Sequence, residues 1–381
     1  MPARPSHDVV LISNGFQSEY EIGFANGLAR NGLQPLLVCS EQLPRDRLDA
    51  GVTALTLRGS QDPARHALAK AVNILRYWRA EFRLLRRLKA PVVHVIGFFT
   101  LPFMWFGIVE ALALRGVARR LVLTVHNVLP HGGDTPLNRG LHRVLYAIPH
   151  RLVVHTERMR VRLIDEFGVA QERIVVMEHG IDRVVPPLDG DRDWLRRHFG
   201  LQPGRPVVLF FGNFAPYKGV DLLIGAFEHL RSSTAVLVLA GLCLDAALKG
   251  EIQRLLEPLQ RSGRACWHDG FVPDDDVLRY FHGADLLAMP YRGIDQSGVV
   301  FMALATGLRV VAFRVGSLAD YVPLTGGCVV PAGDTGAFAA AVDAALEASS
   351  QVDRNAGVLR ARQFLWSETV RPLVAAYREL R

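Results

Sequence analysis

Two stretches of the sequence hold residues whose types and spacing suit phosphate and sugar chemistry. The first is GNFAPYKG, Gly212 to Gly219, placed directly after the apolar run VVLFF and before VDLLIGAF. A strand, a glycine loop and a helix start in that order bind phosphate, because free backbone N–H groups face the anion and the Lys218 ammonium adds charge. Each charge-assisted hydrogen bond there contributes roughly 1.5 to 3 kcal/mol. The loop has neither the GxxxxGK[ST] nor the GxGxxG pattern, and taken alone it also fits a glycine turn with a surface lysine. The second stretch, residues 285 to 322, reads DLLAMPYRGIDQSGVVFMALATGLRVVAFRVGSLADYV. In it Gly293, Ser297 and Gly298 free amides at a helix start, and Asp295, Gln296 and Ser297 offer the donors and acceptors that hexose hydroxyls require. Asp295 also fits a helix N-cap.

Elements able to position such loops alternate along the whole chain. VVLIS, PLLVC, VVHVIG, LVLTVH and RLVVHT form a first set of apolar strand-like runs, and PVVLFFG, AVLVLAG, CWHDGF, DLLAMP, RVVAFR and GCVVP a second, with helical or turn-rich sequence between them. This rhythm predicts βαβ units and parallel sheets. The Pro, Gly and Asp-rich stretch HGIDRVVPPLDGDRD separates the sets. The expected fold is therefore α/β: two Rossmann-like domains whose parallel sheets face a central cleft, with chemistry in the loops leaving the strands. The boundaries read as 1–185 for an N-terminal Rossmann-like domain, 186–204 for a linker, 205–360 for a C-terminal Rossmann-like domain, and 361–381 for a closing segment.

At 381 residues and 50% hydrophobic content the chain is long and apolar enough for two cores, which excludes disorder for most of it. Cys39, Cys243, Cys266 and Cys328 show no ligand spacing, so neither a disulfide framework nor a metal site is expected. The N-terminus runs straight into an apolar strand without a secretory pattern, and a cytoplasmic protein is expected. The net charge of +7 lies in the first half, and residues 51–150 alone carry 14 basic against 4 acidic side chains. That stretch should meet something anionic. Within it, residues 65–89 place Leu68, Val72, Leu75, Trp78, Phe82 and Leu85 at spacings of three and four, with arginines on the other faces. This helix fits either an anionic bilayer interface or a domain helix with a solvated basic face. The apolar run that follows is interrupted by Gly97, Pro102 and Glu110, so a buried helix is expected rather than a span, with aromatics from Phe98 to Phe106 exposed toward lipid. No RRM, zinc-finger or helix-turn-helix pattern supports nucleic-acid binding.

GNFAPYKGVDLLIGAF, DGFVPDDDVLRYFHGADLLAMPY and SGVVFMALATGLRVVAFRVGSLADYV, in this order, resemble the donor-binding domain of retaining family 4 glycosyltransferases of the GT-B fold, as found in bacterial exopolysaccharide or lipid-linked oligosaccharide assembly. LVLTVHNVLPH, RLVVHTERMRVRLIDEFGV and IVVMEHGID resemble its acceptor-domain landmarks, and FLWSETVRPLVAAYREL its closing helix. The resemblance implies transfer of a hexose from a nucleotide diphosphate sugar, GDP-mannose or a UDP-hexose, to a hydroxyl of a glycan or polyprenyl diphosphate-linked acceptor. It further implies retention of configuration, no cofactor and no required metal, and a site on the inner face of the plasma membrane reached through residues 65–106. Carried over residue by residue, His126, Lys218 and Asp295 would be catalytic. Gly212, Asn213, Lys218, Gln296, Ser297, Gly298, Val299 and Met302 would hold the donor, with Gly270, Phe271 and Val272 at the nucleobase, and Asn127 and His131 would face the acceptor. The pattern departs from the family at three points: Asn213 stands where an arginine is usual, the Glu-x7-Glu positions are Ile294 and Met302, and Asp320 replaces a glutamate. An inverting enzyme using His126, His131 or Asp134 as base, a sugar-nucleotide epimerase or phosphorylase, and a non-enzymatic membrane or nucleic-acid binding module are the competing readings.

Overall fold

The computed structural model describes residues 7–13, 17–59, 66–98, 104–130, 133–185, 191–348 and 354–380. The chain folds into two compact units, one formed by Met1–Asp182 with Phe364–Arg381 and the other by Arg183–Gln363. Both are α/β with wholly parallel sheets, because their strands are short runs of Val, Leu and Ile that only a sheet covered on both faces can bury.

Unit 1 alternates β1 (Val9–Ile12), α1 (Ser18–Arg30), β2 (Pro35–Val38), β3 (Thr53–Leu55), α2 (Ala67–Leu88), β4 (Val92–Val95), α3 (Met104–Val117), β5 (Leu121–Thr124), α4 (Pro136–Ala147), β6 (Arg151–Val154), α5 (Glu157–Phe167) and β7 (Ile174–Val176). The sheet order is β3-β2-β1-β4-β5-β6-β7, so the winding reverses between β1 and β4. Helices α2 to α5 cover one face and α1 the other.

Unit 2 alternates α6 (Asp191–His198), β8 (Val207–Phe211), α7 (Val220–Glu228), β9 (Val236–Gly241), α8 (Ala246–Arg261), β10 (Ala265–Asp269), α9 (Asp274–Gly283), β11 (Leu286–Met289), α10 (Gly298–Thr306), β12 (Val310–Phe313), α11 (Leu318–Tyr321), β13 (Cys328–Val330), α12 (Thr335–Glu347) and α13 (Arg354–Ala361). Its order, β10-β9-β8-β11-β12-β13, reverses between β8 and β11. The stretch 186–204, expected as a linker, carries α6, which a buried ion pair from Arg196 to Asp285 (2.6 Å) fastens within this unit.

The chain ends in α14 (Trp366–Thr369) and α15 (Arg371–Leu380), packed on the α1 face of unit 1. Trp366 lies in a cradle of glycines, where a Cβ on Gly23 or Gly180 would overlap its indole and one on Gly27 its backbone. Asn31 Nδ2 also donates to the Ser367 carbonyl at 2.8 Å.

Two expectations fail in the helices. The inward line of α2 is Tyr77, Glu81 and Leu85, with Trp78 and Phe82 half-buried, whereas Val72 and Leu75 are 38% and 60% exposed. The reason is a buried polar cluster that an apolar-stripe reading cannot see. The Arg58 guanidinium sits 4.7 Å over the Tyr77 ring, and Tyr77 donates to the Glu81 carboxyl. Burial, with the neighbouring Glu110, pushes the Glu81 carboxyl up to about 8. Phe98, expected toward lipid, is buried; residues 99–103 lie outside the described residues. Among the described residues no helix is long and apolar enough to cross a membrane.

Candidate functional site

In unit 2 the loops after β8 and β11 leave the sheet at its point of reversal, the place where an open parallel sheet forms a crevice. The first loop folds into a single 3-10 turn, Pro216–Lys218, closed by Gly219 at φ +66°. A Cβ on Gly219 would overlap the Pro290 carbonyl, so only glycine lets the turn lie against the second loop. Arg292 clamps the two loops together. Its guanidinium forms a fork on the Asp221 carboxylate and donates to the Pro216 carbonyl at 2.8 Å, while its backbone N–H donates to Tyr217 at 2.7 Å.

The clamp presents Lys218 with its ammonium beside Gly212: a Cβ there would stand 3.0 Å from Lys218 Nζ and 3.7 Å from Val299 Cγ2. Lys218 is only 8% exposed and lies 5.8 Å from the centre of the buried Tyr291 ring. Among the described residues no carboxylate pairs with it. Burial pulls its ammonium down to about 8, so it is cationic at neutral pH but loosely held. Ser297, buried, caps α10 by accepting from the Val299 N–H at 3.3 Å. The cap is thus Ser297 rather than Asp295, which lies half-buried with its carbonyl bound to the Ser317 N–H. Gln296 keeps its Nε2 buried without a hydrogen-bond partner among the described residues. Gly298 is exposed, and Val299 and Met302 are half-buried on α10.

Gly212, Lys218, Tyr291, Ser297 and Val299 therefore converge, an ammonium and a helix N-terminus able to hold a diphosphate. Asn213 is exposed in the same loop. Gly270, Phe271 and Val272 follow β10, two strands away, where Val272 is buried and the Phe271 ring is 71% exposed.

In unit 1 histidines stand at the carboxyl ends of four successive strands: His94 in β4, His126 after β5, His155 after β6 and His179 after β7. Three of them surround Tyr20 of α1, whose ring meets those of His126, His155 and His179 edge-on at 5.0, 5.5 and 5.4 Å, while His94 meets Phe24. Burial pulls His94 down to about 3, His126 and His179 to about 4, and His155 well below its ordinary value, so all four are neutral near pH 7. His126 is half-buried and its Nε2 donates to the Ile96 carbonyl at 2.9 Å, leaving Nδ1 as an acceptor. Asn127 is half-buried next to it, and His131 lies outside the described residues. Asp134 is committed to Arg139, which holds its carboxyl below the usual range. Among the described residues no group of side chains is arranged to hold a metal ion.

The sequence reading passed over Tyr20, His94, His155, His179, Tyr291 and the Arg292–Asp221 clamp. A signal for the histidines was present: VVH, TVH, VVH and MEH recur at four strand ends.

The description "Glycosyl transferases group 1" matches residues 205–348, and "Glycosyltransferase Family 4" matches residues 20–185. The chain is 30% identical to D-inositol 3-phosphate glycosyltransferase 1 of Catenulispora acidiphila over 294 residues, 71% of this chain and 69% of that one. It is likewise 30% identical to D-inositol 3-phosphate glycosyltransferase of Mycobacterium ulcerans, over 60% of this chain and half the length of that protein. Among solved structures, sucrose-phosphate synthase from Thermosynechococcus elongatus superposes with a TM-score of 0.76 at 16% identity, covering 98% of each chain. Anabaena HepE in complex with UDP gives 0.74 at 16% identity, covering 97% of this chain and 99% of that one. At such identity these two show a shared fold.

Proposed function

The chain belongs to the group 1, family 4 glycosyltransferases, and from that premise we propose that it moves a hexose from a nucleotide diphosphate sugar to a hydroxyl of a glycan or lipid-linked sugar acceptor, with retention of configuration. The observation that carries this reading is Lys218: a buried ammonium without a carboxylate partner among the described residues, set beside the N-terminus of α10. Breaking the bond to the anomeric carbon builds oxocarbenium character on the sugar and negative charge on the departing diphosphate. The enzyme's main task is to stabilise that charge, and a buried cation with oriented amides does so without reorganising. The leaving phosphate oxygen itself accepts the acceptor's proton on the same face.

On this reading His126 meets a sugar hydroxyl: with Nε2 donating to the Ile96 carbonyl, Nδ1 is left to accept that hydroxyl's hydrogen bond. Asp134, the other candidate base, is tied to Arg139. On this reading Gln296 and Asp295 meet the sugar, and Gly270 to Val272 the nucleobase.

The experiment is a panel of UDP- and GDP-hexoses offered with lipid-linked glycans and, because relatives are named for it, inositol 3-phosphate. Product should form only with acceptor present and should keep the donor's anomeric configuration by proton NMR. Turnover that needs no glycan acceptor would instead favour an epimerase or phosphorylase.

We further infer that unit 1 works at an anionic inner-leaflet surface. On α2 and at its C-terminal end, Arg76, Arg79, Arg83, Arg86, Arg87 and Lys89 are all exposed, and none has a carboxylate partner among the described residues. Each cation near such a surface contributes on the order of 1 kcal/mol. Flotation with anionic vesicles at low salt should recover the protein, and neutralising Arg83, Arg86 and Arg87 should abolish recovery. Failure of the wild type to float removes the membrane from the reading.

A further inference from the structure

Helices α2, α3 and α4 lie side by side on one face of the unit 1 sheet, and their inner sides share one core. Each leaves a single stripe outside. On α2, Val72 and Leu75 precede the exposed arginines. On α3, Val109 and Leu112, 49% and 55% exposed, precede Arg115, and Arg119 follows the helix. On α4, Leu137 in the first turn is 71% exposed, with Arg143 and Val144 further along. α2 and α3 hold one carboxylate each, Glu81 and Glu110, and both are buried, while α4 holds none. The outer face thus joins aliphatic side chains to cations, with no acid among the described residues. Ordinary solvated faces elsewhere in the molecule differ. The adjoining α5 exposes Glu157 and Asp165 around Val161, and α8 in unit 2 exposes Glu251 and Glu257 with Arg254 and Arg261.

Direction adds a second observation. In a parallel sheet each connecting helix runs back against the strands, so the N-terminal turns of α2, α3 and α4 all stand at the carboxyl edge. Because the aliphatics come before the cations, the apolar zone borders the edge that holds His126, and the basic zone lies away from it. Exposed aliphatics scattered singly are ordinary, but a group of them rimmed by one sign of charge fits a surface with an apolar interior and anionic headgroups. A second copy of the chain does not fit, since it would set arginine against arginine. We propose that this three-helix face inserts Leu75, Val109, Leu112 and Leu137 among the acyl chains of an anionic bilayer while its arginines meet the headgroups, which tilts the carboxyl edge of unit 1 toward the membrane. Insertion rests on the reading that unit 1 works at such a surface, and it adds an apolar contact, two further helices and an orientation.

Flotation with vesicles of phosphatidylglycerol and phosphatidylcholine at low salt measures partitioning without any turnover. Neutral substitutions separate insertion from charge. Leu75→Ser, Leu112→Ser and Leu137→Ser should each lower the partition coefficient about 5-fold, and the triple variant about 100-fold, because aliphatic surface is withdrawn from the acyl layer while every charge remains. Val161→Ser on α5 and Leu255→Ser on α8 should stay within about twofold of the wild type. Leu112→Trp should partition more tightly than the wild type at an unchanged melting temperature, a gain that misfolding does not produce. Its added fluorescence should be quenched by lipids brominated on their acyl chains, whereas that of Arg119→Trp, at the far end of the same stripe, should not. Serine variants that float as the wild type does would overturn insertion and leave a purely electrostatic attachment. Equal quenching at both tryptophans would overturn the tilt. A wild type that does not float removes the membrane reading and insertion together, whereas failure to find glycosyl transfer leaves the partitioning result standing.

Discussion

The carboxyl edges of the two sheets are built on one plan and filled with opposite chemistry. In unit 1, four imidazoles and the Tyr20 phenol meet with every hydrogen bond neutral and every imidazole kept from charging by burial. In unit 2, the corresponding edge buries an ammonium beside a helix N-terminus and uses an arginine fork and a left-handed glycine to hold it there. Under the proposed function, the difference follows the demands of the two halves of a transfer reaction. A departing diphosphate needs positive potential, whereas a hydroxyl needs only an aligned acceptor, and charge beside it would cost desolvation without return.

The contrast can be broken most forcefully at its foundation in unit 1. Trp366→Ala empties the glycine cradle and should destabilise that unit by about 3 to 5 kcal/mol, read as a lowered urea midpoint, while nucleotide-sugar binding by unit 2 persists. Loss of both together would mean that the two edges are not independently built.

Next in size is the response to acid. The four histidines are depressed in the fold and ordinary, near 6.5, in the unfolded chain, so the unfolded state takes up protons first. Stability is therefore fully present above about pH 6.5 and is lost as pH falls toward 4 and 3, on the order of 1 kcal/mol per histidine per pH unit. Urea denaturation between pH 7 and 5 checks it; a flat midpoint would mean that the four imidazoles take up protons in the fold as readily as in the unfolded chain.

Lys218→Ala should weaken donor binding roughly 10- to 150-fold, the worth of one charge-assisted hydrogen bond, by calorimetry. In the wild type the dissociation constant should rise as pH climbs through about 8, where the ammonium loses its proton, and stay flat in Lys218→Ala. The smallest effect is expected from Asp221→Asn. Its pair with Arg292 is partly exposed, so unclamping the loops should cost at most about fivefold in donor affinity with little change in melting temperature.

Much of this was legible in advance. Runs such as VVLI, LVLT and VVLFF are apolar on both faces and short, and two such sets with helices between them can bury themselves only as covered parallel sheets. Lys218 and Ser297 could be singled out because strand, glycine loop and helix start are a local pattern. Glu81, Tyr77 and Arg58 could not: a carboxylate in a helix reads as solvent-facing until a tyrosine one turn away and an arginine from another loop are seen beside it. The clamp from Arg292 to Asp221 spans 71 residues and the contact of His94 with Tyr377 spans 283, separations at which sequence spacing carries no information.

The order of residues alone settled most of the strands, though not the short β3 and β7, that they pair in parallel, and that a lysine stands in a glycine loop at the start of a helix, since these depend on neighbours a few positions apart. Only the folded chain decided which histidine tautomers exist, that Lys218 is buried beside α10, and that the final helices complete the wall behind Tyr20. Those facts turn on burial and on which carbonyl or hydroxyl lies opposite each nitrogen, quantities set when distant segments close over one another and exclude water.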